Sequence, residues 1–157
     1  MGSCLYIDWM AQLHFSHKIN SDVETAYNFF TDVHNWCEIV EEPFELEYLS
    51  GAVNFKVGSE YLFNFESYGI TQEMRFSITE TKPNLKITYR QKDGFFKYWS
   101  HSIEFKTKGA NSFIVEDIHY EMPFGIIGTL FDDFWVRGRI KQFISDRVKN
   151  YNFIVSK

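Results

Sequence analysis

A histidine and a glutamate stand in the apolar faces of two strands that the sequence predicts to be neighbours. His101 alternates with apolar residues over positions 99–105, and Glu116 lies between two isoleucines. A hairpin turn at 108–111 would place position 101 opposite 116 or 118, so that the two side chains are cross-strand neighbours or close diagonals. A carboxylate in an apolar wall is costly unless it is paired or hydrogen-bonded. We therefore expect His101 and Glu116 to interact.

Three roles are open to this pair. The two side chains could orient a hydroxyl or carbonyl group of a ligand, or act as acid and base in an aldol-type cyclisation or dehydration. Joined by Arg147 from the last predicted helix, they could instead form a satisfied internal network. Burial would raise the pKa of Glu116, whereas a neighbouring imidazolium would lower it. Further polar candidates for positioning a ligand are Gln72, Gln91 and Tyr120.

Other chemistries lack their sequence signatures. The five histidines have no metal-like spacing with cysteine or acidic residues. The segment Gly125-Ile-Ile-Gly128 is too short and too apolar to cradle phosphate, and no Walker or dinucleotide fingerprint occurs. A Gly-x-Ser-x-Gly nucleophile elbow is also absent from the sequence. We therefore expect neither a cofactor nor a metal ion.

The elements that must position these residues follow from the hydrophobic pattern. Alternation over 13–19 predicts a first strand, after which Asn20 or Ser21 is the candidate N-cap of a short helix. A second short helix or turn ends before Pro43. Over 44–122 the period is two, which predicts six further strands, and a long helix follows. Consecutive strands with short loops pair antiparallel, so the fold class is α+β.

The segment between the last strand and the last helix carries five bulky apolar side chains: Phe124, Ile126, Ile127, Leu130 and Phe131. Pro123 cannot donate to a strand ladder, while Gly125 and Gly128 permit a tight turn. We expect the apolar cluster to line one mouth of a cavity and act as its lid, because exposed apolar side chains need a cover. The alternative is a solid plug between strand and helix. The apolar stripe of the helix rotates near Gly138, which favours a bend there over a straight helix.

Composition limits the classes of function. The 157 residues fit one domain over 11–157, with residues 1–10 as a flexible extension. Aromatic residues make up 19%, including 17 Phe, which indicates either a phenylalanine-rich solid core or a further apolar surface such as a cavity. The net charge of -5 argues against a nucleic-acid partner.

The sequence also bears on the compartment. No stretch approaches the ~18 continuous apolar residues of a membrane span, so we expect no stable membrane insertion. Cys4 and Cys37 give no disulfide framework, and Asp8 interrupts the apolar run that a signal peptide would need. We therefore expect a cytoplasmic protein.

Four segments carry a family resemblance. They are "FSHKINSDVETAYNFFTDVHNW", "ITETKPNLKITYRQKDGFFKYWSHSIEF", "VEDIHYEMPFGIIGTLF" and "FISDRVKNY". Over about residues 11–152 the chain resembles the SRPBCC (START-related) superfamily. It is most similar there to a bacterial subfamily described as ligand-binding or polyketide cyclase/dehydrase-like, sometimes labelled cell-division inhibitors. The Trp-x-His and Tyr-Glu-x-Pro-x-Gly-x-x-Gly segments are its most specific parts.

The resemblance implies a helix-grip fold, in which a curved antiparallel sheet of about seven strands wraps around a long C-terminal helix. It implies a cavity between the two that holds a hydrophobic small molecule such as a lipid, isoprenoid or polyketide-like compound. An enzyme of the cyclase/dehydratase kind using His101 and Glu116 is one alternative. A protein-interaction module whose cavity is filled by phenylalanines is another. Members range from lipid carriers to enzymes, so the fold does not decide the function.

The chain departs from the family pattern in two places. Gly94, Phe95 and Phe96 stand where relatives tend to have Gly-Pro-Phe, and Glu116 stands where an aspartate is expected. A related domain is found fused to sugar-epimerase-like proteins, so an epimerase-like partner would act here in trans. We expect a monomer or a weak dimer.

These arguments predict a set of ligand-contacting side chains. They are Phe63, Phe65, Gln72, Met74, Phe76, Tyr89, Gln91, Trp99, His101, Glu116, Ile118, Tyr120, Phe124, Ile127, Leu130, Phe131 and Phe134.

Overall fold

Strands and helices follow one another in the predicted order in a computed structural model that describes residues 10–157. The strands are β1 (Met10–Ile19), β2 (Phe44–Gly51), β3 (Glu60–Ser67), β4 (Ile70–Lys82), β5 (Lys86–Asp93), β6 (Tyr98–Lys108) and β7 (Asn111–Glu121). The helices are α1 (Val23–Phe30), α2 (Val33–Glu38), α3 (Gly125–Phe131) and α4 (Arg137–Val155), with a π-helical segment (Asp132–Val136) between the last two. Residues 1–9 of the predicted extension lie outside the described residues. Met10, the last residue of that prediction, is instead the first residue of β1.

The seven strands form one curved antiparallel sheet in the order β1-β7-β6-β5-β4-β3-β2. Strands β2 to β7 are each joined to the next by a short connection and pair in chain order, while β1 closes on β7. The α+β helix-grip architecture predicted from the sequence is therefore confirmed. Among residues 10–157, no helix has the length and hydropathy that crossing a bilayer requires.

The register of β6 against β7 places the candidate histidine and glutamate on one face as close diagonals. His101 pairs with Ile118, and Ile103 pairs with Glu116. The hairpin turn consists of Gly109 and Ala110, with Gly109 at a φ of 61°. A left-handed backbone conformation is adopted most readily by glycine, which suits a tight two-residue turn.

Aspartates cap both short helices. The side chain of Asp22 accepts from the backbone amide of Thr25 at 2.7 Å and caps α1, so the prediction of Asn20 or Ser21 as the cap is wrong. The hydroxyl of Ser21 instead hydrogen-bonds that of Tyr151 at 2.6 Å. The backbone amide of Asn20 donates to the side chain of Asn152 at 2.9 Å. The residues after β1 therefore hold the end of α4.

The sequence predicted a bend at Gly138, but the regular helix is interrupted earlier. The interruption is the π-helical segment, which begins at Asp132, six residues before Gly138. A π turn contains one more residue than an α turn, so it rotates the apolar stripe before it relative to the stripe after it. The buried carboxylate of Asp132 accepts from the Tyr120 hydroxyl at 2.7 and 2.8 Å. This contact attaches the segment to β7. Gly138 lies within regular α4, so its own flexibility is not needed for the rotation.

The buried apolar residues form two clusters on the inner face of the sheet. The larger one joins α1, α2 and the end of α4 to strands β3 to β7 and includes Phe30, Trp36, Phe63 and Tyr151. The smaller one lies under the π-helical segment and the start of α4, and its members are Leu13, Ile118, Tyr120, Met122, Val136, Ile140 and Ile144.

Two helical glycines provide a matched test of the turn between β7 and α3. A Cβ added at Gly128 would lie 1.9 Å from the carbonyl oxygen of Pro123, whereas one added at Gly138 would meet no described atom within 4 Å. We expect Gly138→Ala to raise the free energy of unfolding by about 0.5–1 kcal/mol. Gly128→Ala should lower it by about 1–3 kcal/mol because the added methyl overpacks the turn. Urea denaturation followed by circular dichroism measures both, and equal stabilisation by the two variants would contradict the close approach.

Candidate functional site

A cavity of about 340 Å³ lies between the inner face of the sheet and the last helix. Its wall is drawn from α2 and the residues after it, from strands β2 to β6 with the β5–β6 loop, and from α3, the π-helical segment and α4. The lining side chains are mainly aromatic and aliphatic. They belong to Trp36, Val40, Phe44, Leu46, Phe63, Phe65, Ser67, Ile70, Gln72, Met74, Phe76, Tyr89, Gln91, Phe95, Phe96, Trp99, Phe131, Trp135, Val136, Arg139, Ile140, Phe143 and Arg147.

The structure divides the predicted ligand-contacting residues into three groups. Those that line the cavity are Phe63, Phe65, Gln72, Met74, Phe76, Tyr89, Gln91, Trp99 and Phe131. Those buried beside the cavity without lining it are His101, Glu116, Ile118 and Tyr120. Those exposed to solvent outside the wall are Phe124 (81%), Ile127 (75%), Leu130 (57%) and Phe134 (88%). Of the five residues of the predicted lid, Phe131 alone lines the cavity. Phe124, Ile127 and Leu130 do not, and neither does Ile126, which is 63% exposed.

The exposed group results from the path of the chain after β7. Phe124 has a φ of 69° and Gly125 a φ of 55°, so two successive left-handed residues redirect the backbone at the start of α3. Helix α3 then presents Phe131 to the cavity, and its other large side chains face solvent. A strand alternation identifies a face, but it does not predict the direction of a helix that follows a turn.

Several lining residues were missed by the sequence analysis. On β2 and β4, Phe44, Leu46 and Ile70 continue the period of two that identified their neighbours. On α4 and the segment before it, Val136, Ile140, Phe143 and Arg147 recur at helical spacing. That spacing was visible in the sequence, but which helix face would meet the sheet was not.

The predicted histidine–glutamate pair is part of a buried chain of four polar side chains. The Tyr89 hydroxyl lies 2.6 Å from His101 Nδ1, and His101 Nε2 lies 2.7 Å from Glu116 Oε2. Arg147 Nη2 donates to the same carboxylate oxygen and forms an ion pair with it. The exposed fractions of His101 and Glu116 are 1% and 0%. Two members, Tyr89 and Arg147, line the cavity, so the chain meets the cavity at both of its ends.

Burial and pairing determine the charges of this chain. Burial alone would raise the pKa of the Glu116 carboxyl. The Arg147 guanidinium and the His101 ring outweigh this effect and lower the pKa to about 2. Burial lowers the pKa of His101 against the opposing effect of Glu116. At neutral pH we therefore expect an ionised Glu116 and a neutral His101. Its Nε2–H then donates to Glu116, and its Nδ1 accepts from the Tyr89 hydroxyl, whose pKa burial raises to about 12.

A second buried carboxylate, Asp132, was not identified from the sequence. It accepts from the Tyr120 hydroxyl and lies 3.5 Å from Arg137 Nη2. Burial raises the pKa of Tyr120 above its ordinary range, and the hydrogen bond to Asp132 raises it further. Asp132 follows an apolar run beside a second aspartate, which is typical of a solvated helix start, so nothing local distinguished it.

Some of the other polar side chains of the wall have hydrogen-bond partners within the protein, and some polar atoms have none. The Gln91 side chain donates to the Phe96 carbonyl at 2.6 Å and accepts from the Phe96 amide at 3.4 Å, so it holds the β5–β6 loop. Trp99 Nε1 and Arg147 Nε are buried donors without an acceptor among the described residues. An unsatisfied buried donor costs about 1–3 kcal/mol of stability.

The Glu116–Arg147 ion pair gives a test of how the last helix is held. Glu116→Leu leaves the Arg147 guanidinium buried without a counterion and should cost about 3–5 kcal/mol of unfolding free energy. The double variant Glu116→Leu with Arg147→Met should recover much of that loss, because it leaves only His101 Nε2 without its acceptor, at about 1–3 kcal/mol.

The control is Lys106→Met, which removes an ion pair with Glu104 in which the lysine is 54% exposed. It should change stability by about 1 kcal/mol or less. Urea denaturation of the wild type, Glu116→Leu, Arg147→Met, the double variant and the control measures the coupling. A double variant whose loss equals the sum of the two single losses would contradict the buried pair.

Known structures resemble this fold closely, although no family model and no curated protein matches the sequence. Protein CV1439 from Chromobacterium violaceum superposes with a TM-score of 0.71 at 14% identity, over 92% of this chain and 96% of that one. Ginseng major latex-like protein 151 from Panax ginseng gives 0.66 at 18% identity, over 92% and 96%. The di-domain ARO/CYC StfQ from the steffimycin biosynthetic pathway gives 0.69 at 12% identity, over 91% of this chain and 49% of that one. At these identities the likeness concerns the fold alone, and by that criterion the chain has the helix-grip fold of the SRPBCC proteins, as its sequence predicted.

Proposed function

We propose that this protein binds a hydrophobic small molecule in the cavity between the sheet and the last helix. The observation that carries this proposal is the cavity itself: about 340 Å³ enclosed by a mainly aromatic and aliphatic wall. Ligand sites have volumes of about 300–1,000 Å³, with mostly apolar walls and a few polar groups. A lipid, isoprenoid or polyketide-like compound has the matching apolar surface.

Acid–base catalysis by His101 and Glu116 receives less support than binding. Both ring nitrogens of His101 have partners, and Glu116 is paired with Arg147. Neither side chain is among those that line the cavity. A catalytic acid or base must come within hydrogen-bond reach of the substrate. The fold of StfQ is shared by many proteins, and a shared fold is an analogy that does not transfer an activity.

An interaction module with a filled interior is also less favoured. Its defining feature would be phenylalanine side chains that occupy the space between sheet and helix. Phe63, Phe65 and Phe76 instead stand around an open volume of about 340 Å³.

Two neighbouring residues of β4 give a matched test of binding. Gln72 lines the cavity, and Glu73 points to the opposite, solvent-exposed face of the same strand. We expect the wild-type protein to bind the neutral fluorescent probe N-phenyl-1-naphthylamine. Gln72→Trp should weaken that binding at least about tenfold because the indole occupies the cavity, whereas Glu73→Trp should leave it unchanged.

Fluorescence titration gives the dissociation constant of each protein. Wild-type protein that takes up no probe, or a Gln72→Trp variant that binds it as tightly as Glu73→Trp does, would contradict the proposed function.

A further inference from the structure

Arg139 places a cation at the open end of the cavity. Arg139 is one of the residues that line the cavity. The guanidinium carbon lies 3.7 Å from the ring centre of Tyr68 and 3.2 Å from that of Trp135, so the group is stacked between two aromatic rings. Tyr68 is 52% and Trp135 is 37% exposed, which marks this end as the one that faces solvent.

The charge of Arg139 is not neutralised within the described part of the chain. Arg147, at the inner end of the wall, pairs with Glu116, and Arg137 pairs with Asp132 and Asp133. Arg139 has no carboxylate within 4.0 Å among residues 10–157, and its one side-chain hydrogen bond runs from Nη1 to the Ser67 hydroxyl at 3.0 Å. A guanidinium carries five N–H donors, so most of those of Arg139 are free to bind an anion.

The spacing along α4 suits an amphipathic molecule. Arg139 and Arg147 are eight residues apart, which corresponds to about 12 Å along the helix. The side chains around the inner end include Trp36, Phe63 and Tyr89, all buried. A molecule with an anionic head at Arg139 would therefore bury an apolar tail of about that length beneath α4.

We propose that Arg139 binds the carboxylate head of a long-chain amphipathic ligand whose tail occupies the cavity. This inference rests on the proposed function and adds the chemical class of the ligand. A planar guanidinium matches a carboxylate through two parallel N–H···O bonds, and one such group suits a single negative charge. The stacking on Tyr68 and Trp135 holds the guanidinium plane in place before the ligand arrives, so little side-chain entropy is lost on binding.

The test compares head groups on one tail. In parallel titrations, the bound N-phenyl-1-naphthylamine of the wild-type protein is competed with three compounds: dodecanoate, methyl dodecanoate and dodecyl phosphate. We expect dodecanoate to bind at least about tenfold more tightly than the methyl ester, because the ester cannot form the charge-assisted hydrogen bonds.

Variants then assign the preference to Arg139. Arg139→Met, which keeps an apolar stem and removes the guanidinium, should remove the preference for the acid over the ester. Lys141→Met, on the exposed side of the same helix, is the matched control and should retain the full preference. Arg139→Lys keeps the charge without the planar fork and should retain part of it.

The outcomes separate the two proposals. Equal affinity of the wild-type protein for dodecanoate and its methyl ester overturns the carboxylate site while binding in the cavity stands, and this comparison needs no variant. Tighter binding of dodecyl phosphate than of dodecanoate overturns the assignment of a carboxylate. An acid preference that Arg139→Met retains overturns the role of Arg139. A wild-type protein that binds neither probe nor ligands contradicts the proposed function itself.

Discussion

A buried carboxylate needs a partner, and the partner of Glu116 comes from the last helix. Because Glu116 is on β7 and Arg147 is on α4, their ion pair attaches the helix to the sheet at the inner end of the cavity. Asp132 makes a second attachment, since it accepts from Tyr120, which is also on β7. The residues of the helix that line the cavity from 135 to 147 therefore extend between two buried anchors on one strand. The cavity lies to the side of that strand, over β2 to β6.

The two anchors also explain why the polar residues of the interior are better suited to structure than to catalysis. Each carboxylate is engaged by groups that belong to the protein, and His101 is held from both sides. Both partners of Glu116 meet Oε2, and Oε1 has none among the described residues. Buried polar groups engaged by the protein itself stabilise one arrangement of the elements. The group that we propose for ligand binding is a different one, the guanidinium of Arg139, which has no carboxylate partner among residues 10–157. In this proposal, ligand recognition and helix attachment use separate side chains of the same wall.

The sequence predicted the strands and their inward faces because a period of two depends only on local alternation. Phe63, Met74 and Trp99 could be placed in the wall for that reason, and the turn at 108–111 was enough to bring His101 near Glu116. The helical side of the cavity could not be predicted, since it depends on tertiary contacts. The π-helical segment, the burial of Asp132 and the outward direction of Phe124 follow from how the chain leaves β7, and no periodicity encodes that path.

The central claim, that the space beneath α4 holds an apolar ligand, is tested most directly by native mass spectrometry of the protein purified from its own host. We expect a species heavier than the polypeptide that loses a small molecule on collisional activation, with the same molecule recovered by organic extraction. A single species at the polypeptide mass, unchanged after incubation with dodecanoate, would contradict the account.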